Sequence, residues 1–269
     1  MSAARPLSLV TGASAGIGEA FARQLAALGH DLALTARRAD RLEAIAAELR
    51  QRHGNRVSVL PEDLADPAAP ARLAAALAER ELAVDWLINN AGYGVPGTFS
   101  GNDWPTHARF LQVLLHAPTE LAWRLLPGMQ QRGYGRIINV SSLAGHVPAP
   151  ARHTLYAASK AYLIKFSQSL ALENQPLGVN VCALCPGFTL SEFHDVTGTR
   201  EKMNKLPGYL WLTAEEVVRQ GIAAVERGDA VYIPGRVNRA IKTLVQLLPD
   251  RLASSLSARE SRRYRNTDA

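Results

Sequence analysis

Residues 154–160 read Thr-Leu-Tyr-Ala-Ala-Ser-Lys, which sets a tyrosine four residues ahead of a lysine. On a helix, positions i and i+4 share a face, so the Lys160 ammonium lies near the Tyr156 phenol. A free phenol has a pKa of ~10 and keeps its proton at neutral pH. A nearby cation favours the phenolate and lowers that value. A tyrosine so placed can give or take a proton near neutrality, as general acid–base catalysis requires. An ordinary surface helix can carry the same Tyr-x-x-x-Lys spacing, so the surrounding elements have to decide between the two.

Residues 7–11 form a short apolar strand, followed by Gly12-Ala13-Ser14-Ala15-Gly16-Ile17-Gly18 and then by helical spacing over 19–28 that ends at Gly29. Strand, glycine loop and helix together can cradle a pyrophosphate. The glycines admit close backbone N–H groups, and the helix N-terminus adds partial positive charge. The spacing here is Gly-x-x-x-Gly-x-Gly. A second strand over 31–36 ends in Ala36 and leads into Arg37 and Arg38. In a dinucleotide fold this end meets the adenosine ribose. An acid there would bind the 2′-hydroxyl of NAD, whereas an arginine suits the 2′-phosphate of NADP. Helix-flanking surface charge is the alternative.

A helix over 40–52 and a third strand over 57–60 come next. Asp63 lies beyond that strand, where it could meet adenine or cap the following helix, which Asp66-Pro67 announces. That helix runs to about 80, and a fourth strand over 86–88 precedes Asn89-Asn90-Ala91-Gly92. Small residues and amides after a strand allow close cofactor contact, and a plain turn would look similar. A long helix over about 103–131 is expected to bend at Pro118. A fifth strand over 136–140 closes with Ser141-Ser142, and a Pro- and Gly-rich loop leads to the helix bearing Tyr156 and Lys160. A sixth strand over 180–184 stops at Pro186-Gly187. An irregular segment runs over 188–212, and Thr213-Ala214-Glu215-Glu216 forms a capping box for a helix ending near Gly228. A seventh strand over 230–233 and an amphipathic helical stretch from about Val237, interrupted at Pro249, complete the order.

Alternating strands and helices imply an α/β fold: a doubly wound parallel sheet of about seven strands with helices on both faces. Ligands then sit beyond the carboxyl ends of the strands. The glycine loop, Arg37, Asp63, Asn90, Ser142 and Pro186-Gly187 all fall there. No repeat or linker interrupts the 269 residues, so residues 1–269 are expected to form one dinucleotide-binding and catalytic domain. Within it, 188–212 reads as a substrate lid and 236–269 as a basic helical extension.

A hydrophobic fraction of 47% with 20% charged residues describes a soluble globular chain. No apolar run approaches the ~20 residues of a membrane span, and the start carries no secretory leader pattern. Cys182 and Cys185 could suggest redox or metal chemistry. They lie in a buried-strand pattern with no further cysteines to complete a zinc site, so two unpaired thiols and no metal are expected. That fits a cytoplasmic location. The net charge is +6, with Arg259, Arg262, Arg263 and Arg265 near the C-terminus. A basic tail can touch anionic lipid or nucleic acid, but a solvated helix end is the favoured reading.

Five motifs in this order resemble the short-chain dehydrogenase/reductase family. They are Thr11-Gly12-x-x-x-Gly16-x-Gly18, Asn89-Asn90-Ala91-Gly92, Ser142 after the fifth strand, Tyr156-x-x-x-Lys160 and Pro186-Gly187. The match covers about 7–233. The resemblance implies a Rossmann-type sheet and NAD(P)-dependent hydride transfer between a carbonyl and an alcohol. It assigns Tyr156 as proton donor in reduction, Lys160 to the tyrosine and the nicotinamide ribose, and Ser142 to the substrate oxygen. Neighbouring Ser141 competes for the serine role. The resemblance also implies that NADP(H) is held by Gly12, Ser14, Gly16, Ile17, Gly18, Arg37, Arg38, Asp63, Asn90, Ala91, Gly92, Tyr156, Lys160, Pro186, Gly187 and Thr189. Homodimers or homotetramers through the central helices are common in the family.

Two features depart from the family pattern. The serine-to-tyrosine interval is fourteen where the family usually has thirteen. Leu114 stands where many members carry an asparagine thought to hold a water that relays protons to the lysine; leucine has no polar atom with which to do so. His107, His153 and His194 are candidates for site contacts, with surface positions as the default. Aromatic and apolar residues over 188–212 (Phe193, Met203, Leu206, Tyr209 and Trp211) favour a small hydrophobic carbonyl or alcohol substrate and no nucleic acid. The competing reading is a non-catalytic NADP(H)-binding regulatory or structural protein of the same fold, motivated by Leu114.

Overall fold

The structure, a computed structural model, describes residues 5–149, 151, 154–190, 208–249, 251–253 and 255. In chain order it has β1 (Leu7–Thr11), α1 (Gly16–Ala27), β2 (Asp31–Thr35), α2 (Ala39–His53), β3 (Val57–Val59), α3 (Ala69–Glu79), β4 (Trp86–Asn89) and α4 (Trp104–Leu111). There follow α5 (Ala117–Arg132), β5 (Gly135–Val140), α6 (Thr154–Asn174), β6 (Val179–Leu184), β7 (Phe188–Leu190), β8 (Trp211–Thr213), α7 (Ala214–Glu226), β9 (Val231–Tyr232) and α8 (Arg236–Leu247). Seven strands pair in parallel in the order β3-β2-β1-β4-β5-β6-β9. This is the Rossmann-type order that the alternation of strand and helix implies.

Successive residues of each strand face opposite sides of the sheet, and both sides are apolar. Val10, Trp86, Ile88, Ile138 and Leu184 pack with Phe21 and Leu25 of α1, Leu42 and Leu49 of α2 and Val217 and Val225 of α7. Leu9, Leu87, Ile137 and Val181 pack on the other side with Leu73 of α3, Phe110 of α4, Leu121 of α5 and Ala171 of α6. Full burial of one such side chain is worth roughly 1.5–3 kcal/mol, so the sheet is held rigid from both faces. That rigidity fixes the strand ends where the loops of interest leave.

Four local expectations are corrected. Helix α1 begins at Gly16, not at 19, with Ala15 extended and without a side-chain cap. Glycine is poor in a helix interior but costs little in the first turn, where the N–H groups have no intrahelical partner anyway. The long helix over 103–131 is not continuous. It is split by a π turn at Gln112–His116 that ends just before Ala117. Pro118 has no N–H for the carbonyl of Leu114, so the regular ladder fails one turn upstream. Thr119 Oγ1 donates to Leu115 O at 2.7 Å, a side-chain bond within the disturbed turn. The segment 188–212 is not irregular at its ends, because β7 and β8 pair in parallel with Phe188 opposite Trp211. Finally, His107 is buried rather than on the surface. Phe193, Met203, Leu206, His153, His194 and Arg259–Arg265 lie outside the described residues.

Candidate active site

The glycine loop is closed at Gly12 and Gly18 by contacts that leave no room for a side chain there. Gly12 has φ +66° and Gly16 φ +57°, both left-handed. A Cβ on Gly18 would stand 2.2 Å from Gly12 O, and one on Gly12 would stand 2.9 Å from Ala91 Cα. Asn90 Nδ2 donates to Thr11 O at 2.9 Å and to Gly12 O at 3.3 Å, and Thr11 Oγ1 accepts from the N–H groups of Asn90 and Ala91. Asn90 and Ala91 therefore brace the glycine loop from β4, while Gly92 lies towards Lys160, whose Nζ a Cβ there would approach to 3.8 Å. Arg38 folds over the same loop, its Nε and Nη2 donating to Ser14 Oγ at 3.2 and 3.1 Å. Arg37 is exposed beyond β2 and makes no ion pair among the described residues. Asp63 does not cap α3. Its Oδ1 accepts from Ala65 N within the turn, and its Oδ2 pairs with Arg109 at 3.3 Å.

The catalytic candidates meet at the ends of β5 and β6. The two serines separate cleanly. Ser141 is buried and donates to Lys160 O at 2.7 Å, pinning α6 to β5. Ser142 caps the short turn Leu143–Gly145, accepting from Ala144 N at 3.1 Å, and shares a hydrogen bond with the Tyr156 hydroxyl. Gly145 lets this turn touch α6, since a Cβ there would lie 2.8 Å from Ala161 N. Pro186 O accepts from Leu143 N at 2.8 Å, tying the turn after β6 to the serine turn. Gly187 packs against Asn238 of α8, and Thr189 is buried with its hydroxyl on Gly187 O.

Lys160 is 5% exposed and donates to Val140 O at 2.8 Å, with Nζ 5.6 Å from the Tyr156 ring centre. Burial pushes its ammonium down to about 8. The expectation that Lys160 lowers the Tyr156 pKa is not met in this state. Burial raises the phenol above its ordinary value, and the bond to Ser142 is what opposes the rise. The low-dielectric surroundings penalise phenolate and ammonium alike, and Lys160 has turned to a backbone carbonyl.

The site is backed by Asn139 and Ser167, which the sequence pattern did not single out, and by Asn89 and His107, which it did. Asn89 Nδ2 bonds Asn139 Oδ1 at 2.9 Å, and Asn139 in turn donates to Ser167 Oγ at 2.9 Å, a buried polar chain joining β4, β5 and α6. The signal for Asn139 was a polar residue set between Ile138 and Val140 in the fifth strand. Beside Tyr156 a cavity of about 20 Å³ is lined by Val95, Phe99, His107, Phe110 and Leu155. His107 Nε2 donates to Phe99 O at 2.8 Å under the stacked Phe99 ring. Tyr93 stands edge-on to Phe110 in the same wall.

Comparison with known proteins agrees with this geometry. A family model described as short chain dehydrogenase matches residues 7–202. Nodulation protein G of Rhizobium sp. (strain N33) is 39% identical over 236 residues, covering 85% of this chain and 92% of the relative. Sulfoacetaldehyde reductase of Chromohalobacter salexigens is 36% identical over 219 residues, covering 78% and 84%. Among solved structures, a short-chain dehydrogenase from Sphingobium yanoikuyae in complex with NADPH superposes with TM-score 0.79 at 34% identity, over 91% of this chain and 96% of that one. The chain belongs to the short-chain dehydrogenase/reductase family and is an oxidoreductase of Rossmann-type fold.

Proposed function

We propose that this protein is an NADP(H)-dependent carbonyl reductase or alcohol dehydrogenase acting on a small apolar substrate, with Ser142, Tyr156 and Lys160 as its catalytic residues. The observation that carries this reading is the convergence of Ser142 and Lys160 on Tyr156, at the same sheet edge as the uncapped start of α1 and the exposed Arg37. The residues fit NADP(H): β2 ends without an acid, two arginines follow, and the glycine loop admits no side chain. Gly12, Ser14, Gly16, Ile17 and Gly18 would hold the pyrophosphate and Arg37 the 2′-phosphate. Arg38 would shape Ser14, Asp63 would face the adenine side, and Asn90, Ala91, Gly92, Pro186, Gly187 and Thr189 would line the nicotinamide side. The bound cofactor supplies the hydride. The NADPH-bound relative supports this choice.

The protein's own part is to handle the proton. A phenol held in its neutral form by burial is ready to donate to the oxygen of a carbonyl as that oxygen gains charge. Ser142 offers a second hydrogen bond to the same oxygen and favours the charge-developed state. Lys160, with three donors, can serve both the phenol and a ribose hydroxyl after leaving Val140 O. The gathered triad argues against the non-catalytic reading.

Val95, Phe99, Phe110 and Leu155 beside Tyr156 support an apolar substrate, with 188–212 as its lid within a single domain. Trp104 and Trp123, 66% and 69% exposed on α4 and α5, support a homodimer or homotetramer through these helices. Unpaired Cys182 and Cys185 support a reducing cytoplasm. Among the described residues no helix is long and apolar enough to cross a membrane.

The cofactor assignment has a direct test. One charge-assisted contact is worth ~1.5–3 kcal/mol. Arg37→Ala should therefore weaken NADP(H) by about ten- to a hundredfold and leave NAD(H) almost unchanged. Titration of both cofactors checks this, and equal losses for the two would remove Arg37 from the phosphate site. For the tail, binding to anionic vesicles should be weak or absent. Tight binding that fades with salt would make the basic extension a membrane contact.

A further inference from the structure

The space beneath Lys160 supports an inference that rests on the catalytic role just proposed for that residue. A cavity of about 10 Å³ lies there, lined by Thr11, Asn89, Leu114, Pro118, Val140 and Lys160 among others. This is close to the least volume that holds one water. Leu114 reaches the same neighbourhood with carbon only: a methyl built on Gly92 would lie 3.8 Å from both Leu114 Cγ and Lys160 Nζ.

Asn89 is the polar side chain with an unused atom. Its Nδ2 donates to Asn139 Oδ1 at 2.9 Å and to Pro118 O at 3.1 Å, and turning the amide round would set oxygen against two oxygens. The amide is thus fixed, and its Oδ1 is left buried without a partner. A buried acceptor without a donor is costly. Lys160 has three N–H donors, of which Val140 O takes one.

We propose that Asn89 holds a water molecule against Lys160, and that this water does for the ammonium what a polar side chain at position 114 would otherwise do. The water accepts from Nζ–H and donates to Asn89 Oδ1, so it favours the charged lysine. Asn89 is a positioning residue: it acts through Lys160 and touches neither substrate nor cofactor. The titratable groups facing Lys160 among the described residues are Tyr156 on its own helix and Cys185 beyond β6, with no carboxylate among them. Burial already pushes the ammonium down to about 8. Losing the water therefore moves its titration further down, and the alkaline fall in kcat moves down with it.

The test is an NMR titration of the Lys160 ε-methylene in the cofactor-free protein, which needs no turnover, followed by the kcat–pH profile. Asn89→Leu should lower the Lys160 midpoint by about one pH unit, as expected for one hydrogen bond to a charged group. Leu114→Asn in the same background should restore it. Leu114→Phe, which fills the cavity and leaves the bonds of Asn89 to Asn139 and Pro118 in place, should shift the midpoint the same way. It serves if Asn89→Leu fails to fold. A midpoint unchanged in a folded variant overturns the proposal. Absence of turnover on a carbonyl panel would instead contradict the catalytic reading, and the NMR comparison would still stand or fall by itself.

Discussion

Tyr156→Phe should bind NADPH as the wild type does and turn over about 10²–10⁴-fold more slowly, the usual worth of a positioned proton donor. The ring keeps its packing on α6, and only the hydroxyl is lost. Ser142 loses its partner on Tyr156 but keeps the bond from Ala144 N, so the turn after β5 should persist. The drop should therefore fall on kcat, with cofactor affinity unmoved. Single-turnover kinetics with NADPH separates the two. A variant that keeps most of its rate would mean that another group supplies the proton.

Gly18→Ala is expected to be nearly as damaging, but through binding. The added methyl would sit 2.2 Å from Gly12 O and 2.5 Å from Asn90 Nδ2, and the first of these is backbone that cannot swing aside. The loop must open, which breaks the Asn90 bonds to Thr11 O and Gly12 O and displaces the first turn of α1. Losing two charge-assisted contacts to phosphate at ~1.5–3 kcal/mol each corresponds to roughly 10²–10⁴-fold in NADPH affinity. Calorimetric titration measures it, with thermal unfolding to show that the sheet survives. Near-normal affinity would show that the loop does not cradle the cofactor.

Much of this was legible in the chain because periodicity and punctuation agree. Strands such as Leu7–Thr11 and Val179–Leu184 are apolar on both faces, and each is followed by glycine, amide or hydroxyl residues at the ligand edge. Their sum specifies a parallel sheet and the edge on which the site lies. What was not legible depends on contacts between distant segments. Whether Ser141 or Ser142 faces Tyr156 is set by which one reaches Lys160 O across β5 and α6. The start of α1 at Gly16 is hidden by the low helix propensity of glycine, although the first turn tolerates it. The π turn at Gln112–His116 follows from Pro118 one turn later, where a simple bend at the proline is the nearer guess. The raised Tyr156 pKa is a burial effect, and spacing along a helix carries the lysine but not the burial. His107 looks like any surface histidine until Phe99 stacks on it.

Deuterium transfer separates a working reductase from a protein that only binds NADPH. Purified protein is supplied with NADPH deuterated at the transferable C4 position and with a panel of apolar ketones and aldehydes, and the alcohols formed are analysed by mass spectrometry. Deuterium is expected on the carbinol carbon of at least one product, one atom for each NADPH oxidised, with no transfer by Tyr156→Phe on the same time scale. Protein that binds NADPH tightly yet moves no deuterium to any carbonyl would contradict the catalytic reading.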